Sequence, residues 1–317
     1  MKRIAAVPAI ALLVAACGSS KSPPELRGDG VLRGAAQILS LAWSPRGDVI
    51  AAGAGDGVEL WDTKERRRLR TLGRYGGQVW GVAWSRDGRS VAAAFDGGDV
   101  RVWRLPNGPS LRLVQQRGPA FSVSWSRGGA SLAAGYADGN VVSWDPRTRR
   151  RLAIRRGHQQ EVIAVAWSPD GRTLASGSID TTVRIGTAGR TATVLSDRGS
   201  ADVNGLAWSP DGKVLAAANQ DGEVRLWDVR RRKLKARLAR HDGWARGVSW
   251  SPDGRLLVSS GSDGKLRVWD PKRRKQVQAL RATRDLETWA AAWRPNGRWV
   301  AAGGGDGTVR LFRVGDG

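Results

Sequence analysis

The sequence predicts an all-β fold, a seven-bladed β-propeller, on three observations. Tryptophan recurs at Trp43, Trp84, Trp125, Trp167, Trp208, Trp250 and Trp293, at spacings of 41 to 43 residues. Each marks a segment whose short apolar runs are split by turn formers, as in S-P-D-G at 168–171, 209–212 and 251–254. Tryptophan is also over-used, 16 in 317 residues, while Phe (3), Tyr (2), His (2), Met (1) and Cys (1) are scarce, so a structural demand consumes it. A period of this size with Asp-Gly turns between strands marks a four-stranded blade. One blade cannot bury both faces alone, so blades stack around an axis.

The chain opens on MKRIAAVPAIALLVAACGSS. Lys2 and Arg3 precede an apolar run from Ile4 to Ala16, the layout of a secretory signal. Its 13 residues are too few to span a bilayer as a helix. The ending Val14-Ala15-Ala16-Cys17 resembles the bacterial lipoprotein signal, and the chain's only cysteine stands at that point. That resemblance implies loss of residues 1–16, lipidation of Cys17, and a cell-envelope location. The anchor would sit on the outer side of the cytoplasmic membrane, or in the periplasm or outer membrane. Residues 17–29 read as the lipidated cysteine and a flexible tether rich in Gly, Ser and Pro. The propeller is expected over 30–317.

Seven segments follow, at 40–62, 81–104, 122–145, 164–187, 205–228, 247–270 and 290–313. KLKARL (233–238) alternates polar and apolar, the period of a half-buried strand. A second tryptophan closes most segments (Trp61, Trp103, Trp144, Trp227, Trp269) and offers a flat body for packing between blades.

These segments resemble the WD-repeat β-propeller family over about residues 30–314. Gly157-His158 matches the family's Gly-His, and His241 stands in the same place. Asp138, Asp180, Asp221, Asp263 and Asp306 each lie six residues before the strand-c anchor. Repeat six is the most complete. Repeat four departs, with Gly186 and Thr187 in place of Trp-Asp, and looser packing is expected there. The resemblance implies structural roles for His158, Asp180, His241, Asp263 and Trp269, the histidines bonding to the turn aspartates. It also implies that GVLRG (30–34) supplies the outer strand of the last blade, closing the ring.

The inner strands read SLAW, GVAW, SVSW, AVAW, GLAW, GVSW and AAAW, with no titratable side chain. No Cys/His cluster has metal-ligand spacing, and D-x-D-x-D-G is absent. The reading is therefore a non-catalytic protein with no catalytic residue, no metal and no cofactor.

Net charge is +23, which raises anionic partners, although arginine can also serve as a generic solubilising residue. An exported chain rarely meets chromosomal DNA, so nucleic acid is disfavoured. Four basic runs begin in the connections between third and fourth strands, on the bottom face. They place Arg66, Arg67, Arg68, Arg149, Arg150, Arg151, Arg230, Arg231, Arg232, Lys233, Lys272, Arg273, Arg274 and Lys275 as candidate contacts to an anionic lipid surface.

On the top face, the resemblance points to residues four and six before each anchor tryptophan. Trp80, Phe121, Arg246 and Trp289 are four before; Glu161, Asp202, Trp244 and Glu287 are six before. Aromatics and Arg beside carboxylates have the composition of a protein-binding hot spot. The sequence thus reads as a membrane-anchored interaction scaffold, acting as a single copy on protein partners. Its rivals are a receptor for a ligand or anionic polymer, and an enzyme with a site at the channel mouth.

Overall fold

The computed structural model describes residues 25–34, 36–113, 118–187, 192–197, 199, 201–283 and 287–315. The signal, Cys17 and the tether to residue 24 lie outside that set. Seven antiparallel four-stranded sheets form the seven blades. The inner strands are Ile38–Trp43, Val79–Trp84, Ala120–Trp125, Val162–Trp167, Val203–Trp208, Ala245–Trp250 and Thr288–Trp293. Each lies beside the inner strand of the next blade, and the last lies beside the first.

Second strands such as Val49–Ala54 and Val214–Asn219 are buried almost throughout. Both their faces are covered by neighbouring blades, so they read as continuous runs of small apolar residues rather than as an alternation. Outer strands keep one face in water. Lys233–Leu238 alternates in burial, as KLKARL predicts. Small residues are also required where inner strands converge: a side chain at Gly81 would lie 2.9 Å from the Phe121 carbonyl oxygen of the next blade.

The tryptophans knit the blades together. Trp61, Trp103, Trp144, Trp227 and Trp269 are all buried. The anchor indoles reach across to the preceding inner strand. Trp43, Trp84, Trp208 and Trp250 donate from Nε1 to the carbonyls of Ala292, Ala42, Ala166 and Ala207 at 3.0–3.1 Å, and Trp125 donates to Ala83 at 3.3 Å. Trp167 and Trp293 differ. There the preceding strand carries Ser124 or Ser249, whose hydroxyl accepts from the tryptophan's own backbone N–H at 3.1 Å. Their indole N–H groups find no partner among the described residues.

The ring closes through Leu26–Arg33, which pairs antiparallel with Thr308–Val314. This strand starts four residues before the expected GVLRG, so Leu26 to Asp29, read from sequence as tether, are already part of the sheet. Leu26 is buried, and its backbone N–H and carbonyl are both held by the Gln278 side chain of blade six. Blade four, where looser packing is expected, has the shortest outer strand, Thr193–Leu195, and among the described residues the apolar cluster it shares with blade three is the smallest of the seven. Arg155 donates to the carbonyl of Gly186, where five other blades have a tryptophan and blade seven has Phe312.

Candidate functional site

Every inner strand carries a bulge after its first residue, between Ile38 and Ser40 and at the six equivalent places. A bulge leaves one residue outside the ladder and re-aims its side chain. Those seven residues are Leu39, Trp80, Phe121, Ile163, Asn204, Arg246 and Trp289, the position four before each anchor tryptophan. All seven line one chamber of about 580 Å³ at the channel's top mouth.

The residues six before the anchor behave less uniformly. Glu161, Asp202 and Trp244 line the chamber. Glu287 does not line it, but its carboxylate holds Arg246 at 2.7 Å. Arg246 also lies between two rings, its guanidinium carbon 4.2 Å from the centroid of Trp244 and 3.9 Å from that of Trp289. Each such contact contributes about 0.5–2 kcal/mol, more as water is excluded. Burial draws the Arg246 guanidinium down from its usual range, opposed by the charge and hydrogen bond of Glu287. Trp244 is 41% exposed, so its ring remains open to a partner.

On the opposite wall, Trp80 packs edge-on against Phe121 at 5.6 Å, and its indole N–H donates to Asp96 at 3.1 Å. Between these aromatic walls lie Glu161 and Asp202. Burial pushes the Asp202 carboxyl up, and the charge of Glu161 pushes it the same way. The chamber therefore combines fixed aromatic surface with a carboxylate pair that would gain from a cation. Among the described residues, no group of three or more His, Cys, Asp or Glu side chains is placed to hold a metal.

The histidines have the structural bonds that the resemblance implies. His158 Nδ1 meets Asp180 and His241 Nδ1 meets Asp263, both at 2.9 Å. Sequence reasoning missed the serines that complete these chains. Ser176 meets His158 Nε2, and Ser259 meets His241 Nε2 while accepting from Trp269 Nε1. A serine ten residues before the strand-c anchor position, Gly186 or Trp269, is the signal that could have found them.

On the bottom face, all fourteen basic candidates are exposed. Arg66, Arg149, Arg230, Arg231, Arg232, Lys272, Arg273 and Arg274 lie in the connections, while Arg67, Arg68, Arg150, Arg151, Lys233 and Lys275 open the outer strands. Asp62, Asp145, Asp228 and Asp270, which close the third strands, cap these turns through backbone N–H groups at 2.8–2.9 Å. Arg66, Arg149, Arg232 and Arg274 occupy one turn position in left-handed conformation, φ 53° to 62°. Arg68 differs from its neighbours, because it neutralises the buried Glu59 at 2.8 Å. Arg66, Arg231 and Arg273 also face carboxylates (Asp29, Asp228 and Asp270), at 3.3–3.6 Å on the surface.

Comparison with known proteins agrees with this geometry. The family model described as the IFT122 first beta-propeller matches residues 78–317, and that of the WD domain, G-beta repeat, matches residues 29–62. Cell division cycle 20.5, cofactor of APC complex, from Arabidopsis thaliana is 28% identical over 141 residues, 44% of this chain and 31% of that protein. Protein HIRA from Oryza sativa subsp. japonica is 30% identical over 178 residues, 52% of this chain and 15% of that protein. WD repeat-containing protein srw1 from Schizosaccharomyces pombe is 26% identical over 154 residues, 47% and 28% respectively. The chain thus spans under a third of the length of each of these relatives. With seven four-stranded blades, Trp-Asp closing four of them and a family model matched over most of its length, this chain belongs to the WD-repeat β-propeller family.

Proposed function

We propose that the protein is a non-catalytic interaction platform, tethered to a membrane of the cell envelope through acylated Cys17, which captures a protein partner in its top chamber. Propellers of this family are commonly interaction scaffolds. The observation that carries the reading is the set of seven bulges, each turning one side chain into a single chamber. A partner segment would lay an apolar side chain between the Trp80–Phe121 and Trp244–Trp289 walls, and a basic side chain against Glu161 and Asp202. Aromatic residues held rigid by Arg246 and Asp96 lose little freedom on binding, which favours hot-spot behaviour. The tether enters the closing strand at the bottom face, so the chamber would face away from the anchoring membrane.

The test is a mild-detergent pull-down of the full-length protein from its native membranes. It runs beside a variant carrying Trp80→Ala, Trp244→Ala and Trp289→Ala. A protein retained by the parent and lost by the variant is the expected result. Retention of the same proteins by both would remove the chamber from the reading. A Cys17→Ser form that stays in the membrane fraction would remove the lipid anchor.

A further inference from the structure

We propose that the bottom-face groove between blades two and three is a binding site for a compact, multiply charged oxyanion: a polyphosphate group, free or carried on a lipid headgroup. The proposal is independent of the top chamber, and it assigns anion binding to one place rather than to the basic face as a whole.

The groove measures about 810 Å³, within the roughly 300–1,000 Å³ of small-ligand pockets. Arg86, Arg89, Arg104, Arg127, Arg147 and Arg149 line it. None of the six makes an ion pair with a carboxylate within 4 Å among the described residues. Asp87, the only acidic side chain among the described lining residues, already accepts from the Ser85 hydroxyl at 2.6 Å and from the Arg89 backbone at 3.0 Å. The floor is fixed, because Trp125 is tied to the Ala83 carbonyl.

Two departures from the repeat's own pattern create this site. Most blades close the third strand with aspartate (Asp62, Asp145, Asp228, Asp270), whereas blade two has Arg104. Four first turns carry an aspartate two residues after their serine (Asp87, Asp170, Asp211, Asp253) and blade one carries Asp48 two places further on, whereas the first turn of blade three has Gly128 and no aspartate. Blade seven makes both changes too, with Arg313 and Asn296, but those face different neighbours. Only between blades two and three do both losses meet in one groove, which leaves Asp87 as the one carboxylate among its described lining residues. Nothing would lie within 4 Å of a side chain added at Gly128, so steric crowding does not account for that loss. Guanidinium groups converging on a carboxylate-poor groove suit bidentate contacts to phosphate oxygens, and its volume exceeds what one phosphate fills.

The test uses calorimetric titration of the purified full chain with inorganic tripolyphosphate at physiological salt. Vesicle co-sedimentation, with and without a lipid bearing several headgroup phosphates, forms the second arm. Gly128→Asp restores the repeat's usual residue, and Arg127→Gln serves as a second variant. Arg255→Gln is the control, removing one charge from the same face in blade six. Gly128→Asp and Arg127→Gln should each weaken tripolyphosphate binding by about tenfold or more, with melting temperature unchanged and Arg255→Gln near the parent. Binding in the calorimetric arm alone assigns a free polyphosphate. Vesicle binding that tripolyphosphate displaces assigns a headgroup. No binding by the parent in either arm overturns the site, and so does an equal loss in the control.

Discussion

The Trp84 indole N–H donates to the Ala42 carbonyl of the preceding blade at 3.1 Å, and the equivalent bond recurs at Trp43, Trp125, Trp208 and Trp250. These are bonds between blades, not within them, and they fasten the ring near its axis. Breaking one removes a bond between neighbouring blades while the carbonyl's own sheet stays paired. Trp208→Phe should therefore lower stability by about 0.5–1.5 kcal/mol. Trp167→Phe, where the indole N–H has no partner among the described residues, should cost less. Urea melts of the two variants compare them directly, and equal losses would count against the indole bond.

Ser259 serves two partners and Ser176 one. Removing the Ser259 hydroxyl orphans His241 Nε2 and Trp269 Nε1 together, both buried. Ser259→Ala should cost about 2–4 kcal/mol, and Ser176→Ala about half of that. Thermal unfolding of the pair would show the ranking.

Blade four should lose stability in acid. Burial lowers the affinity of His158 for its second proton, outweighing the opposing effect of Asp180. Burial tends to raise Asp180, but hydrogen bonds from Thr182, the Gln159 backbone and His158 outweigh it and hold the carboxyl at about 2. Both folded values are depressed, so both groups stabilise the fold at neutral pH and lose that contribution as pH falls. The histidine's share fades below about 6.5, and the carboxylate's, about 2 kcal/mol, fades from about 4 to 2. Hydrogen exchange, corrected for its intrinsic pH dependence, should show protection of 158–187 falling between about pH 7 and about pH 2, and protection unchanged over that range would count against these two groups.

The left-handed arginines should be replaceable at a gain in stability. A side chain at positive φ costs about 1–2 kcal/mol relative to the ordinary helical region. Arg149→Gly and Arg232→Gly should each raise stability by about 0.5–1 kcal/mol, since glycine pays little for that conformation but frees the unfolded chain. Arg149→Gly alone should also weaken tripolyphosphate binding, because Arg149 lines the groove and Arg232 does not. Melting and titration of the two variants test both halves.

Binding of a basic partner segment should strengthen with pH across the range in which Asp202 ionises. Its carboxyl is raised by burial and by Glu161, so a cation would favour the ionised form and proton release would accompany binding. Asp202→Asn should remove that pH dependence. Titration in buffers of different ionisation enthalpy measures the proton release.

Much of the fold was legible because it repeats. Seven chances to see the same tryptophan, turn and apolar run outweigh any one irregular blade, and even GVLRG could be placed as the closing strand. The chamber was half legible. Counting back four residues finds the right side chains, but why they converge is a bulge, and a bulge leaves no mark in side-chain chemistry. Counting back six works less well, because those residues precede the inner strands and each backbone sets its own direction. The groove between blades two and three was not legible at all. Arg104 and Gly128 are 24 positions apart and each looks like a local lapse; only their meeting across a blade boundary gives them a common meaning.

The closing strand has a mechanical consequence. Leu26–Arg33 enters from the bottom and lies antiparallel to Thr308–Val314 through seven residue pairs. A pull on the chain ahead of Leu26, resisted by anything held at the top, acts along the axis of that strand. The pairs would then be loaded in shear, all at once, rather than peeled one by one, and the Gln278 clamp on Leu26 takes the first strain. The seam that completes the ring is thus oriented to resist a pull on the N-terminal end of the chain.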